Sequence, residues 1–433
     1  MLLMFKVKNF TSFKEEAILD MRAASYIQHP THCVPVNDKL SLLKTNAIYG
    51  ANASGKSNFI SAMFFFEQYI FSQLMYDSAS SNSKTPDFEE TRQARTRLEP
   101  FLLSDSVDKA SEFEIVFVTN SNQIQYGFEC TADEVLSEWY FINDKKIFER
   151  QGTSITYGSK YQKTLSAYNK LPAKRLYLSV LDYFLEDEIK NEVLGDFLIF
   201  FREKYNVFMD VFFESTVKGI ASAFGYSERL VSDKAFLQKV AKYLQRIDVG
   251  IKGIDIQDEV VKNEKTGEDK TRKVIKTVHE IYDASGKVIG DKYFDLRQES
   301  SGTLNFFRYI QDIVLMLENG GVFIVDEFSA RLHPKLTKLI VDIFQSEDNN
   351  KAQLIFTTHD ISLLNNNQFR RDEVSFVDKN SRGESRLYAL SDKKVRDDAT
   401  FSKDYMQGKY GAIPVFDYDE LIGLILKDFE EVV

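Results

Sequence analysis

Gly50-Ala51-Asn52-Ala53-Ser54-Gly55-Lys56-Ser57 is the stretch that decides the fold. A glycine, four residues and then Gly-Lys-Ser is the pattern of a phosphate-binding loop joining a strand to a helix. The flanks agree with that reading. Thr45 to Tyr49 reads as a short strand, and a helix is expected from about Lys56 to Ser72, with Phe59, Ile60, Met63 and Phe64 at helical spacing. Glycine lets the backbone wrap closely around phosphates, and successive N–H groups at a helix N-terminus hold negative charge. Gly50, Asn52, Ala53, Ser54, Gly55, Lys56, Ser57 and Asn58 are therefore the expected nucleotide contacts. Lys56 is expected to reach the β- and γ-phosphates, and the Ser57 hydroxyl to coordinate Mg²⁺.

Further along, Gly321-Val322-Phe323-Ile324-Val325-Asp326-Glu327 reads as a buried strand ending in two acids. Carboxylates at the C-terminal end of such a strand lie where α/β sheets bind ligands. Asp326 is expected to hold the Mg²⁺, and Glu327 to orient or deprotonate an attacking water. Roughly 270 residues separate Ser57 from Asp326, so substantial structure is inserted between the two motifs. Just before the acids, Ser300-Ser301-Gly302 opens a helix carrying Leu304, Phe307, Ile310, Val314 and Leu317 at helical spacing. A small Ser/Gly turn opening a helix is a ready anion site, and read alone it is equally an ordinary helix cap.

The ordered set resembles the ABC-type P-loop ATPases, in the branch of the RecF, SMC and OLD-like proteins. Ser300-Ser301-Gly302 looks like their signature motif, and Leu354-Ile355-Phe356-Thr357-Thr358-His359-Asp360 like their switch-histidine strand. Ser329-Ala330-Arg331-Leu332-His333-Pro334 sits where their D-loop follows the acids, with Arg331 in place of the usual Asp. The resemblance implies a head-to-tail homodimer that closes around ATP and Mg²⁺. Lys56, Ser57, Asp326, Glu327 and His359 would serve one ATP, and Ser300, Ser301 and Gly302 its neighbour in the partner chain. Lys56, Glu327 and His359 would be the catalytic residues. Gln93 is a candidate for the family's Q-loop glutamine. Within the branch, the chain is most similar to ATP-binding proteins of bacterial abortive-infection and phage-defence operons, the RloA and AbiL-system ATPases among them. That likeness rests on Asn9-Phe10-Thr11-Ser12-Phe13-Lys14, the phosphate loop, Ser385-Arg386-Leu387-Tyr388 and Gly408-Lys409-Tyr410-Gly411-Ala412-Ile413-Pro414.

Working outward, an α/β fold is expected: an ATPase head made from both chain ends, with a helical and β-hairpin insertion. Residues 1–180 are assigned to the N-terminal half of the head, 181–295 to the insertion, and 296–433 to the C-terminal half with a short tail. Hairpins are expected around Asn9–Ser12, at Phe113–Val118 with Ile124–Glu129, and at Ile254–Val261 with Val274–Tyr282. A Pro-containing loop is expected near Pro30 and Pro35, a Ser-rich linker at Ser78–Thr85, and helix from about Tyr183 to Ile247. No sustained heptads appear there, so no long coiled-coil arm is expected. His29, His32 and Cys33 lack a nearby fourth ligand and read as loop residues rather than a zinc site.

The 433 residues carry a net charge of −10 and only two cysteines. The acidic balance disfavours indiscriminate nucleic-acid coating, while leaving room for a local basic groove; the mixed charges of Lys262–Lys276 read as a solvated hairpin, with a phosphate-backbone or partner contact as the alternative. The sparse cysteines and the lack of a long apolar run fit a cytoplasmic protein without a membrane span. About 70 residues follow His359. That is too few for the nuclease domain of the OLD-type relatives, so any effector, a nuclease or toxin, is expected on a separate chain. The reading is a nucleotide-driven dimer switch in anti-phage defence. A DNA-repair ATPase and an ATP-dependent scaffold with little turnover are the alternatives, and a transporter ATPase is disfavoured by the atypical signature.

Overall fold

The computed structural model describes residues 1–74, 97–104, 109–119, 121–209, 228–248, 250–262, 269–330, 332–396, 399–414 and 422. Gln93, Arg331, the Ser78–Thr85 linker and the hairpin tip at 263–268 lie outside them.

Strands β1 (Leu2–Lys8) and β2 (Ala17–Asp20) form the first hairpin. A second, β3 (Cys33–Asn37) with β4 (Leu40–Leu43), replaces the loop expected around Pro35. Pro35 is tolerated because this is an isolated two-stranded sheet and the residue is exposed. Strand β5 (Thr45–Tyr49) is buried throughout and runs through the glycine turn into α1 (Lys56–Leu74). Then come β6 (Ser111–Val118), β7 (Gln123–Cys130), β8 (Val135–Ile142), β9 (Lys145–Gln151) and β10 (Ser154–Tyr157).

Helices α2 (Tyr177–Phe184) and α3 (Asp187–Ile199) follow. The expected helical run is then interrupted: a π turn at Phe200–Lys204 feeds strand β11 (Tyr205–Phe208). This corrects the reading of Tyr183 to Ile247 as helix. The four residues of β11 become strand because they pair with the acid-bearing strand, Tyr205 opposite Val322 through Phe208 opposite Val325. Helices α4 (Glu228–Ser232) and α5 (Lys234–Ile247) lead to β12 (Ile251–Lys262), β13 (Asp269–Tyr282) and β14 (Val288–Asp295). The expected hairpin is thus a three-stranded antiparallel sheet. The chain closes with α6 (Ser301–Asn319), β15 (Gly321–Val325), α7 (Pro334–Gln345), β16 (Ala352–Thr357), β17 (Val374–Lys379), β18 (Ser385–Ala389) and α8 (Phe401–Met406).

Two large sheets organise the fold. Seven antiparallel strands run in the order β10-β9-β8-β7-β6-β1-β2, and six in the order β11-β15-β16-β5-β17-β18, parallel except for β18. Helix α1 lies between them. Its Phe59, Ile60 and Phe66 share one core with Phe5, Phe113 and Phe128 of the antiparallel sheet and with Ile48, Ile324 and Ile355 of the parallel one. Phe66 stacks on Phe128 at 5.4 Å, so the aromatic run after the phosphate loop is core. The opposite face buries Tyr49, Phe323, Val325 and Phe356 against Phe307, Ile310 and Val314 of α6 and Ile340 of α7. A parallel sheet covered on both faces explains why β5, β15 and β16 are continuous buried runs rather than alternating ones. Among the described residues, no helix is long and apolar enough to cross a membrane.

Candidate nucleotide-binding site

Strands β5, β15 and β16 are parallel neighbours or next neighbours, so their C-terminal ends open on one edge of the sheet. The phosphate loop follows the first, Asp326 and Glu327 the second, and His359 the third. That shared edge is where open α/β sheets bind ligands. It gathers the phosphate-loop set, the two acids and the histidine.

The loop has two residues at positive φ and leaves no room for a side chain at Gly50 or Gly55. Ala53 has φ 60° and Gly55 φ 111°. A Cβ on Gly55 would come within 2.4 Å of Ser385 Oγ and 2.7 Å of Ser12 Oγ. One on Gly50 would meet the Val377 carbonyl oxygen at 2.4 Å. Asn52 and Ala53 are exposed at the rim, while Ser54, Gly55 and Lys56 are buried. The first helical bond runs from Phe59 N–H to the Gly55 carbonyl at 3.0 Å. The N–H groups of the helix's opening turn therefore have no partner within the helix. The Ser54 hydroxyl is buried and makes no hydrogen bond. These features fit an anionic phosphate: a tight backbone cradle, N-terminal donors and an unspent hydroxyl.

Beneath the loop sits a serine cluster that sequence reasoning missed. Ser385 Oγ donates to the Ser54 carbonyl at 2.6 Å and lies 2.8 Å from Ser12 Oγ. Asn58 spends its amide on Ser12 Oγ at 2.8 Å, so that side chain braces the loop from below. Ser385 N–H also donates to the Ser12 carbonyl at 2.7 Å. Both serines lie in segments that carried the family resemblance, but 373 residues separate them, and no local pattern announces the contact.

Lys56 is folded back, its Nζ donating to the carbonyls of Gly50 and Ala51 at 3.0 Å each. Burial pulls its pKa down to about 8, against the opposing pull of Asp326 and Glu327. A bound triphosphate would favour the ammonium form and raise that pKa. Nucleotide binding should then take up little proton at pH 7 but most of one proton at pH 9, where the free amine dominates. Calorimetric titration in buffers of different ionisation enthalpy measures this directly, and Lys56→Arg should abolish the uptake.

The acid pair is organised by Thr357, another residue whose part the sequence did not reveal. Its hydroxyl donates to Asp326 Oδ1 at 2.6 Å and accepts the Glu327 N–H at 2.7 Å. Strand β11 adds a second hold, since the Phe208 carbonyl accepts the Asp326 N–H at 3.0 Å. Asp326 is buried, whereas Glu327 is exposed and left-handed at φ 50°. Such a conformation is uncommon for a non-glycine residue and clusters at functional sites. Here it turns the carboxylate outward while the N–H stays anchored. Ser57 and Asp326 supply hard oxygen donors of the kind Mg²⁺ takes.

His359 is exposed at the end of β16. Partial desolvation lowers its pKa from the ordinary value, followed by the charge of Lys56, with Asp326 pulling the other way. A neutral ring at pH 7 follows, able to donate one hydrogen bond and accept another. Ser329 Oγ lies 2.7 Å from Thr358 Oγ1, fixing the turn after the acids to the histidine strand.

The remaining candidates lie elsewhere. Ser300 caps α6, its Oγ accepting Thr303 N–H at 3.1 Å. Ser300 and Ser301 are exposed and Gly302 half-buried, so the turn faces outward. The Ser300 hydroxyl is bonded to Thr303 and, among the described residues, to nothing in the phosphate loop. His32 is hydrogen-bonded to Glu373 and His29 to the Asn366 carbonyl, while burial pushes the Cys33 thiol up to about 11.

Residues 45–365 match the family model described as "AAA domain, putative AbiEii toxin, Type IV TA system". No curated protein matches the chain. Among solved structures, an SMC head bound to the C-winged helix domain of ScpA is 12% identical, with 90% of this chain and 97% of that one covered and a TM-score of 0.44. The SMC head domain from Thermotoga maritima is 13% identical, with 90% and 98% covered and a TM-score of 0.37. An SMC head with an extended coiled coil, bound to the C-terminal domain of ScpA derived from Pyrococcus furiosus, is 12% identical, with 94% and 98% covered and a TM-score of 0.39. The family match takes in the phosphate loop, the Ser300–Gly302 turn, the acid pair and the His359 strand, and the chain belongs to that AAA, AbiEii-type family of P-loop proteins.

Proposed function

We propose that this chain binds ATP with Mg²⁺ at the Gly50–Ser57 loop, closes on a second copy of itself, hydrolyses the nucleotide and thereby switches a separately encoded effector in antiviral, abortive-infection defence. The observation that carries the reading is the split between two half-sites. One sheet edge gathers Lys56, Asp326, Glu327 and His359, whereas the Ser300–Gly302 turn is exposed and bonds to none of them. A head-to-tail partner would bring its own turn to this edge.

In that arrangement Lys56 exchanges the Gly50 and Ala51 carbonyls for phosphate oxygens. Glu327 orients the attacking water and accepts its proton, its backbone held still by Thr357. His359 donates a ring N–H to the γ-phosphate. Ser57 and Asp326 would hold a Mg²⁺, which would supply charge neutralisation on the triphosphate. Ser300 and Gly302 complete the cage from the partner.

The defence role is supported by the family, which is described as a putative AbiEii toxin of a type IV toxin–antitoxin system. Expression of the chain with its flanking genes in a susceptible bacterial host tests it. Phage plating should fall in cells carrying the intact chain and return to the control level with Lys56→Ala. Equal plating for both variants, with both proteins present at equal levels, removes the defence reading.

A further inference from the structure

The two flanks of the Ser300 turn are both tied to the insertion. Glu299, the residue before Ser300, is nearly buried, and its Oε1 accepts two hydrogen bonds. One comes from the Thr277 hydroxyl and the other from His279 Nε2 at 2.8 Å. Thr277 and His279 are two apart on β13, so their side chains leave the same face of the strand. On the other flank, Thr303 Oγ1 donates to Asp248 Oδ2 at 2.9 Å, and Asp248 ends α5 just before β12. Thr303 Oγ1 has a single proton, and it goes to Asp248. Ser300 Oγ, 2.8 Å away, must therefore donate to Thr303.

We propose that the three-stranded insertion is the positioning frame of the signature turn, with Thr277 and His279 holding Glu299 so that Ser300 and Gly302 are presented to the partner's nucleotide. These are positioning residues, since Thr277 and His279 bond Glu299 and Glu299 adjoins the turn. The clamp is specific in its chemistry. A carboxylate oxygen shared by two donors fixes Glu299 in both direction and depth, and the peptide that follows it is the first of the turn. A displacement of β13 is passed to Ser300 through one residue, which makes the sheet a place where a bound partner can change turnover. The proposal rests on the two-copy reading above.

The test uses the full-length chain with Thr277→Val/His279→Ala, Glu299→Ala and Glu299→Gln. The double variant and Glu299→Ala should lower kcat about tenfold or more. Affinity of the single chain for a fluorescent ATP analogue should stay within about twofold, because its own phosphate loop is untouched. Glu299→Gln keeps an acceptor oxygen for both donors and should retain most of the activity. Mixed with a Lys56→Ala chain, whose signature turn is intact, the double variant should regain turnover. A Ser300→Arg chain mixed with Lys56→Ala is the control. If that control does not recover, the two-copy reading falls and the frame with it. If the control recovers but the double variant keeps full kcat, loses analogue affinity in step with kcat, or fails to regain turnover, the frame alone is overturned.

Discussion

Glu327→Gln is expected to lower phosphate release by about two to three orders of magnitude while leaving ATP binding intact. Glutamine keeps the shape and the anchored N–H of the left-handed residue but removes the base. Thr357 still accepts that N–H and still donates to Asp326, so the Asp326 carboxylate stays where it is. Product then forms slowly, and the ATP-bound two-copy state should outlast that of the wild type. Phosphate release and light-scattering mass, measured on the same preparation with ATP and Mg²⁺, check both halves. Undiminished release would assign the base elsewhere.

Gly55→Ala is expected to raise the ATP dissociation constant at least thirtyfold, an effect of about 2 kcal/mol. The φ of 111° is costly for any side chain, by about 1–3 kcal/mol. The added Cβ would also press on Ser385 Oγ at 2.4 Å and Ser385 Cβ at 3.0 Å. The serine cannot swing away freely, because its hydroxyl is committed to the Ser54 carbonyl and to Ser12. The loop must shift instead, carrying the Lys56 backbone and the N-terminal donors of α1 with it. Titration with a fluorescent ATP analogue measures the affinity, and the melting temperature of the apoprotein separates local strain from unfolding. Unaltered affinity would mean that the cradle does not hold the phosphates.

Those two residues also show what the sequence made legible. Gly55 and Glu327 stand in motifs of contiguous residues, where spacing encodes backbone shape and a single chain segment carries the meaning. The same holds for β5, β15 and β16, whose unbroken apolar runs announce a sheet covered on both faces. Strand β11 was hidden because four residues at the end of a helical stretch have no period of their own, and pairing with β15 decided their state. Strand β14 was hidden because its Val288–Tyr293 stretch, with Gly290, Asp291 and Lys292, lacks a clean alternation. Ser12, Ser385 and Thr357 carry small polar side chains, and their roles exist only once distant segments meet. The clamp on Glu299 is of that kind too, since Thr277 and His279 acquire meaning only from the register that puts β13 beside the signature turn.

The central claim is that one nucleotide is served by two chains, and mixing two damaged copies tests it most directly. Lys56→Ala spoils the phosphate loop and spares the signature; Ser300→Arg does the reverse. Each alone should show almost no turnover. Combined one to one, random pairing should rebuild one intact composite site in each mixed dimer, or about a quarter of the wild-type activity overall. Activity that stays at the sum of the two inactive components, in a sample where mixed dimers are present, would contradict the account.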